Sequence, residues 1–243
     1  EVSELLFRET TLLPHTNPGL MSRADLVRLR ESNPSLGLML ESTSTALHAP
    51  GAAHDGAVDK LPERRLQTIR AAGELKIPFT TGILVGIGEA PRDIVDSLLT
   101  IRELHAAHGH IQEVIIQNFV PKPEIPMRDT PPPGVDHFAR VIALARLVLG
   151  PNMNLQAPPN LSPEHLETLL DSGINDWGGI SPLTADFINP EKPWPQVDAL
   201  RILGERKGLT LRPRLPVYDE FAALEEFFAP RMWPRLQGVP KQS

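Results

Sequence analysis

Six times along the chain a short apolar run gives way to side chains that can hydrogen-bond or carry charge. His15 and Asn17 follow the first run, Glu41 and Thr43 the second, and Gly86 and Glu89 the third. Gln117 and Asn118 end the fourth, Gln156 and Asn160 belong to the fifth, and Asp176 and Ser181 to the sixth. Carboxamides donate and accept, carboxylates accept, and an imidazole can pass a proton near neutral pH. Such a set suits a polar small molecule with several heteroatoms, because each buried ligand donor or acceptor needs a partner. Any one of these residues alone can equally cap a helix or close a turn. Their repetition at matching positions points to one ligand.

Two further patterns bear on chemistry. The run Gly82-Ile-Leu-Val-Gly86-Ile-Gly-Glu89 offers backbone that another group can approach closely, but it lacks the third glycine of a dinucleotide fingerprint. His105-x-x-His108-x-His110 has a spacing that suggests a metal, yet it falls at a helix end, where a solvated terminus is the simpler reading. The chain has no cysteine, which excludes internal disulfides and thiolate ligands to zinc or iron–sulfur clusters.

The elements that must position these residues follow from length and periodicity. A chain of 243 residues, 41% hydrophobic, suits one fairly large domain. A net charge of −6 gives no broad attraction to nucleic acid or anionic membranes, so a small-molecule partner is expected. No apolar run approaches the roughly 18 residues of a membrane span, and Glu1-Val-Ser-Glu4 lacks the basic start of a secretion signal, so a cytoplasmic protein is expected. Strands are predicted at residues 12–13, 36–40, 79–85, 114–119, 154–157 and 177–180. Between them lie helices at 23–32 (capped by Ser22), 63–75, 91–105 and 135–149, and one capped by Ser162; a last helix covers 197–206, and residues 209–211 close the pattern. Residues 121–134, with six prolines, form a long loop, and the charge runs around Arg65 and Lys207 read as solvent-facing helix surface. Strict alternation argues for a parallel α/β sheet with right-handed crossovers, and six units are too few for a complete eight-unit barrel.

The segments at residues 13–22, 37–44, 77–89, 113–119, 156–161 and 176–184 together resemble the 7,8-didemethyl-8-hydroxy-5-deazariboflavin synthases, a family of radical S-adenosylmethionine enzymes. The resemblance runs in order over about residues 1–215 and leaves 216–243 as a tail or linker. It implies a partial TIM-type (β/α) barrel with strands three to eight present and the first two strand–helix units missing. It also implies S-adenosylmethionine and a [4Fe-4S] cluster as cofactors. By the same resemblance Glu41 holds the ribose, Gly82, Leu84, Gly86 and Glu89 shape the adenine site, and Phe119 flanks the adenine edge. A hydroxybenzyl–ribityliminouracil adduct, cyclised to a deazaflavin with release of ammonia, would meet His15, Asn17, Thr43, Gln117, Asn118, Gln156, Asn160 and Asp176. The implied partners are a companion radical enzyme or fused domain that makes the adduct, and an electron donor. The family's CxxxCxxC loop is absent, so the front of the barrel is expected to lie outside this chain, and the chain alone is expected to be inactive. The alternatives are a radical enzyme of the aminofutalosine type from menaquinone synthesis, and a non-catalytic nucleoside-binding barrel. No catalytic residue is assigned.

Overall fold

Ser22 shows how local chemistry sets the elements. Its hydroxyl accepts from the Asp25 N–H while the Asp25 carboxylate accepts from the Ser22 N–H, a capping box that starts a helix after the Pro18-Gly19 turn. Ser22→Ala is expected to cost about 1 kcal/mol in chemical denaturation. The computed structural model describes residues 1–181 and 183–239. In chain order it contains α1 (Val2–Glu9), β1 (His15–Thr16), α2 (Arg23–Arg30), β2 (Ser35–Gly37), α3 (Pro62–Glu74), β3 (Phe79–Val85) and α4 (Pro91–His108). There follow β4 (Ile111–Asn118), α5 (Val135–Leu149), β5 (Asn154–Gln156), α6 (Leu166–Asp171), α7 (Val197–Arg206), α8 (Asp219–Ala222) and α9 (Trp233–Gln237).

The strands form one five-stranded sheet in the order β1-β2-β3-β4-β5, parallel throughout. Its outer face is dry: Leu36, Phe79, Ile83, Val85, Val114, Ile116 and Leu155 pack in one cluster with Leu26, Ile69, Leu98, Ile101 and Ile142 of the helices. Period two sends the alternate residues Gly37, Thr80, Gly82, Leu84, Ile115, Gln117 and Gln156 to the inner face. There Leu84, Ile115, Gln117 and Gln156 are only half-buried. Between β3 and β4 the register shifts at Phe79/Thr80, so Phe79 pairs with Ile111 but Thr80 with Glu113. This bulge leaves Gln112 and Glu113 both reaching Thr80 on the inner face.

The parallel α/β architecture is that of an incomplete TIM-type barrel. Several boundaries differ from expectation. The first strand is His15–Thr16 rather than 12–13, because Leu13 is drawn into a separate cluster with Phe7, Phe221, Phe228 and Met232. The sixth strand shrinks to a single bridge between Gln156 and Asp176, since Gly178 adopts φ +74° and turns the chain out of the ladder. Ser162 makes no side-chain cap and instead precedes a 3-10 turn at Pro163–His165, and residues 209–211 are irregular.

The segment beyond α7 closes the amino end of the inner face. The Pro216 carbonyl accepts from Ser35 Oγ at 2.5 Å and Gln112 Nε2 at 3.1 Å. The Tyr218 N–H donates to Gln112 Oε1 at 3.3 Å, and Asn154 Nδ2 donates to Glu220 Oε1 at 2.8 Å. No helix among the described residues is long and apolar enough to cross a membrane.

Candidate functional site

The carboxyl edge of the sheet carries the first group. Glu41 sits just past β2 at φ +64°, pinned by its N–H to the Gly82 carbonyl and by its carbonyl to the Leu84 N–H. Its carboxylate receives Lys60 Nζ at 2.7 Å, His54 Nε2 at 3.0 Å and Arg65 Nη1 at 3.0 Å. Burial alone would raise its pKa, but His54, Arg65 and Lys60 together hold it down at about 2. Arg65 is therefore buried in this knot, not on the helix surface expected of its charge run. Its stripe-mates Ile69 and Ala72 are buried beside it at helical spacing.

Gly86 and Gly88 turn the chain after β3 with φ +95° and +101°. Glu89 folds back so that its carboxylate accepts the Gly86 and Ile87 N–H groups at 2.7 and 2.8 Å. It thus sets the shape of the turn. A Cβ at Gly86 would meet Pro133 Cδ at 2.7 Å, whereas one at Gly88 would meet only Leu47 Cδ2 at 3.9 Å, which leaves room beside that backbone. Leu84, half-buried, packs with Leu47, Ile87 and Phe119 in a small apolar cluster over the same edge. A Cβ at Gly82 would overlap the Ile115 carbonyl and Met39 Cε. Gly82→Ala is expected to destabilise by about 2 kcal/mol, because strand backbone cannot yield as a side chain does; a lowered denaturation midpoint checks this.

The predicted substrate residues divide. Thr43 is tied to α4, its N–H and hydroxyl 2.9 and 3.0 Å from Ser97 Oγ. Asn17 is exposed in the turn after β1. Asn118 donates to the Leu161 carbonyl at 3.2 Å, and Asn160 to Asp186 Oδ2 at 2.9 Å. Both leave a buried carboxamide oxygen without a partner among the described residues. The inner face holds the others: Gln117 lies opposite Leu84, Gln156 lies against Gly178, and His15 Nδ1 meets Ser35 Oγ at 2.7 Å. Surrounding protein atoms, and secondarily Arg214, hold the His15 imidazole below its ordinary pKa, although the residue as a whole is exposed.

Asp176 belongs to a network that sequence reasoning missed. Arg214 donates to Asp176 Oδ2 from Nε at 2.5 Å and to Glu113 Oε1 from Nη2 at 2.7 Å. Its guanidinium also stacks 4.2 Å from the Tyr218 ring centroid. Asn175 holds Asp176 in place: its Oδ1 accepts the Leu155 N–H at 2.8 Å and its Nδ2 donates to Asn154 Oδ1 at 2.8 Å, replacing lost ladder bonds. Period two could have found Glu113, which shares a face with Ile115 and Gln117. Arg214 and Tyr218 lie in an irregular segment with no periodic signal.

The histidine motif is not a solvated terminus. His110 is fully buried at the start of β4 with Nε2 3.0 Å from the Ile69 carbonyl, and burial, then His108, lowers its pKa to about 3. No group of three or more His, Cys, Asp or Glu among the described residues is placed to hold a metal ion.

No family model matches the chain. It is 47% identical over 225 residues to the 7,8-didemethyl-8-hydroxy-5-deazariboflavin synthase of Methanococcus maripaludis, covering 93% of this chain and 68% of that protein. The corresponding synthase of Methanopyrus kandleri is 47% identical over 213 residues, 88% of this chain and 64% of that protein. The FO synthase of Nocardia farcinica is 50% identical over 222 residues, 90% of this chain but 26% of that protein. The chain thus spans about a quarter of the length of that FO synthase and about two thirds of the shorter synthases. Among solved structures, methylornithine synthase (PylB) superposes with a TM-score of 0.62 at 18% identity, over 93% of this chain and 65% of that one. HydG, a maturase of the [FeFe]-hydrogenase, gives 0.61 at 16% identity, over 71% and 40%.

Proposed function

The chain belongs to the 7,8-didemethyl-8-hydroxy-5-deazariboflavin synthase family, and on that premise we propose that it forms the nucleoside- and substrate-binding face of such a synthase. The reaction served is cyclisation of a hydroxybenzyl–ribityliminouracil adduct to the deazaflavin, with release of ammonia. One observation carries this reading: β3, β4 and β5 seal one face against helices and leave Leu84, Gln117 and Gln156 half-open on the other. A companion radical enzyme or fused domain would supply the adduct, an electron donor would supply reducing equivalents, and the setting is cytoplasmic.

The residues present fit S-adenosylmethionine at its nucleoside end. The open backbone at Gly88 and the half-buried Leu84, which packs in one apolar cluster with Phe119, would hold the adenine. Both Glu41 oxygens are engaged, so the carboxylate would hold a ribose hydroxyl by sharing with Lys60, whose side chain is one third exposed. The Asn118 and Asn160 carboxamide oxygens, without a partner among the described residues, would accept from ligand N–H groups. The residues present do not fit a [4Fe-4S] cluster, because the chain offers no thiolate. In the family that cluster supplies the electron that generates a deoxyadenosyl radical. The side chains here bind, orient and exclude water.

The adduct presents uracil carbonyls and imide N–H groups, which match the mixed donors and acceptors of Gln117 and Gln156. Calorimetry is expected to show adduct binding that weakens about tenfold in Gln156→Ala, the loss of one well-placed hydrogen bond. Absence of any adduct heat from the folded chain sinks the substrate half of the proposal. Anaerobic treatment with iron, sulfide and reductant is expected to give neither iron–sulfur absorbance nor deoxyadenosine.

A further inference from the structure

Tyr218 Oη lies 3.0 Å from Glu113 Oε1 and 2.7 Å from Asp176 Oδ2. A phenol has one proton to donate, so two ionised carboxylates would leave one of these contacts as acceptor facing acceptor. A proton on one carboxyl satisfies both, with Tyr218 accepting on one side and donating on the other. The charge count agrees: Arg214 is one cation set against two carboxyls, and one added proton makes the group neutral.

Two features place that proton on Glu113. Its side chain is 6% exposed against 12% for Asp176. Asp176 also receives the Gly178 N–H at 2.6 Å, while among the described residues the other oxygen of Glu113 receives only the Thr80 hydroxyl at 3.1 Å. Burial and, after the opposing pull of Arg214, the Asp176 charge move the Glu113 carboxyl upward from its ordinary range. The groups that face Glu113 are Thr80 from β3, Gln112 from β4, Asp176 after β5, and Arg214 and Tyr218 from the closing segment. His15 feels the same guanidinium from β1, and Glu220 stands nearby on Asn154.

We propose that Glu113, Tyr218 and Asp176 form a proton relay that opens onto the substrate at Asp176, an inference that rests on the functional reading above. In one passage the Glu113 O–H bond breaks as a new O–H bond forms at Tyr218 Oη. The original Tyr218 proton moves to Asp176 Oδ2, and Asp176 passes it to the substrate amino nitrogen, forming an N–H bond; the C–N bond then breaks with its electron pair going to nitrogen while the ring-closing bond forms at that carbon, and ammonia leaves. Glu113 is left as a carboxylate paired with Arg214, Asp176 and Tyr218 regain their starting forms, and no electron changes hands. The relay returns to its resting state when Glu113 takes a proton from water.

Infrared spectroscopy of the 243-residue chain tests this. At neutral pH a protonated-carboxyl C=O band is expected that disappears in Glu113→Gln and fades as pH rises. In Tyr218→Phe, which keeps the ring, the band is expected to shift because one hydrogen bond is gone; this variant carries the test if Glu113→Gln fails to fold. Adding the adduct is expected to shift the band in the wild type but not in Asp176→Asn. No protonated-carboxyl band at neutral pH, or one indifferent to both Glu113→Gln and Tyr218→Phe, overturns the shared proton. An adduct that binds by calorimetry yet leaves the band unmoved overturns the outlet at Asp176. An adduct that gives no heat counts against the functional reading, while the variant bands still decide the proton's place.

Discussion

Arg214→Met is expected to lower fold stability by about 3 kcal/mol near neutral pH, the lower end for breaking a buried ion pair because the guanidinium is 29% exposed. The substitution leaves Glu113 and Asp176 facing each other with no countercharge and releases the closing segment from the inner face. Its pH dependence has a definite sign. The folded-state pKa of Glu113 already lies above its unfolded value, and loss of Arg214 raises it further. The native state then binds more protons than the unfolded chain, so stability falls as pH rises from the ordinary carboxylate range through the raised folded value. The gap between wild type and variant should therefore be wider at mildly alkaline than at mildly acidic pH in urea denaturation.

Glu41→Gln is expected to have a comparable effect through the opposite electrostatics. The wild-type carboxylate is shifted from 4.5 to about 2, a preference worth roughly 3 kcal/mol at 1.36 kcal/mol per pKa unit. Its removal leaves Arg65, whose side chain is 7% exposed, with the Met39 and Asp59 carbonyls and the long 3.9 Å contact to the exposed Asp59 carboxylate. Here the folded pKa is depressed, so the stabilisation is complete above the unfolded value of 4.5 and fades as pH falls toward about 2. Denaturation of both forms should show a constant gap near neutrality that narrows only in strong acid. The same substitution frees Lys60 and loosens the turn from Glu41 into the Gly82–Leu84 ladder, so nucleoside binding should weaken with it.

Periodicity made much of this fold legible. β3, α5 and α7 fall where sequence pattern places them, because the helices each bury an apolar stripe and β3 is a short run buried on both faces. The misreadings have physical causes. Trp177 is buried in the main core and so resembles a strand residue, but Gly178 at φ +74° ends the pairing after Asp176. Arg65 reads as surface because arginine is rarely buried unpaired, and its partner Glu41 is distant in sequence. His110 reads as a solvated helix end because Gly109 follows α4, yet the left-handed glycine cap sends the chain straight into β4. Glu113, Arg214 and Tyr218 meet only through tertiary structure, with about a hundred residues between β4 and the closing segment.

The residues singled out at the carboxyl edge also need finer description. Glu89 and Thr43 spend their hydrogen bonds on the protein, fixing the turn after β3 and the segment beside α4. Leu84, Gln117, Gln156 and Asp176 remain turned to the inner face. The division between residues that shape the turn and residues left facing the inner face is not visible from residue type alone.

The most direct test is a calorimetric titration of S-adenosylmethionine into the purified chain, with circular dichroism confirming that it is folded. The expected result is saturable one-to-one binding that does not depend on added iron and weakens by about tenfold or more in Leu84→Lys, which places a charge against the adenine berth. A folded wild-type chain that gives no saturable heat would contradict a nucleoside-binding face and leave the sheet as a scaffold.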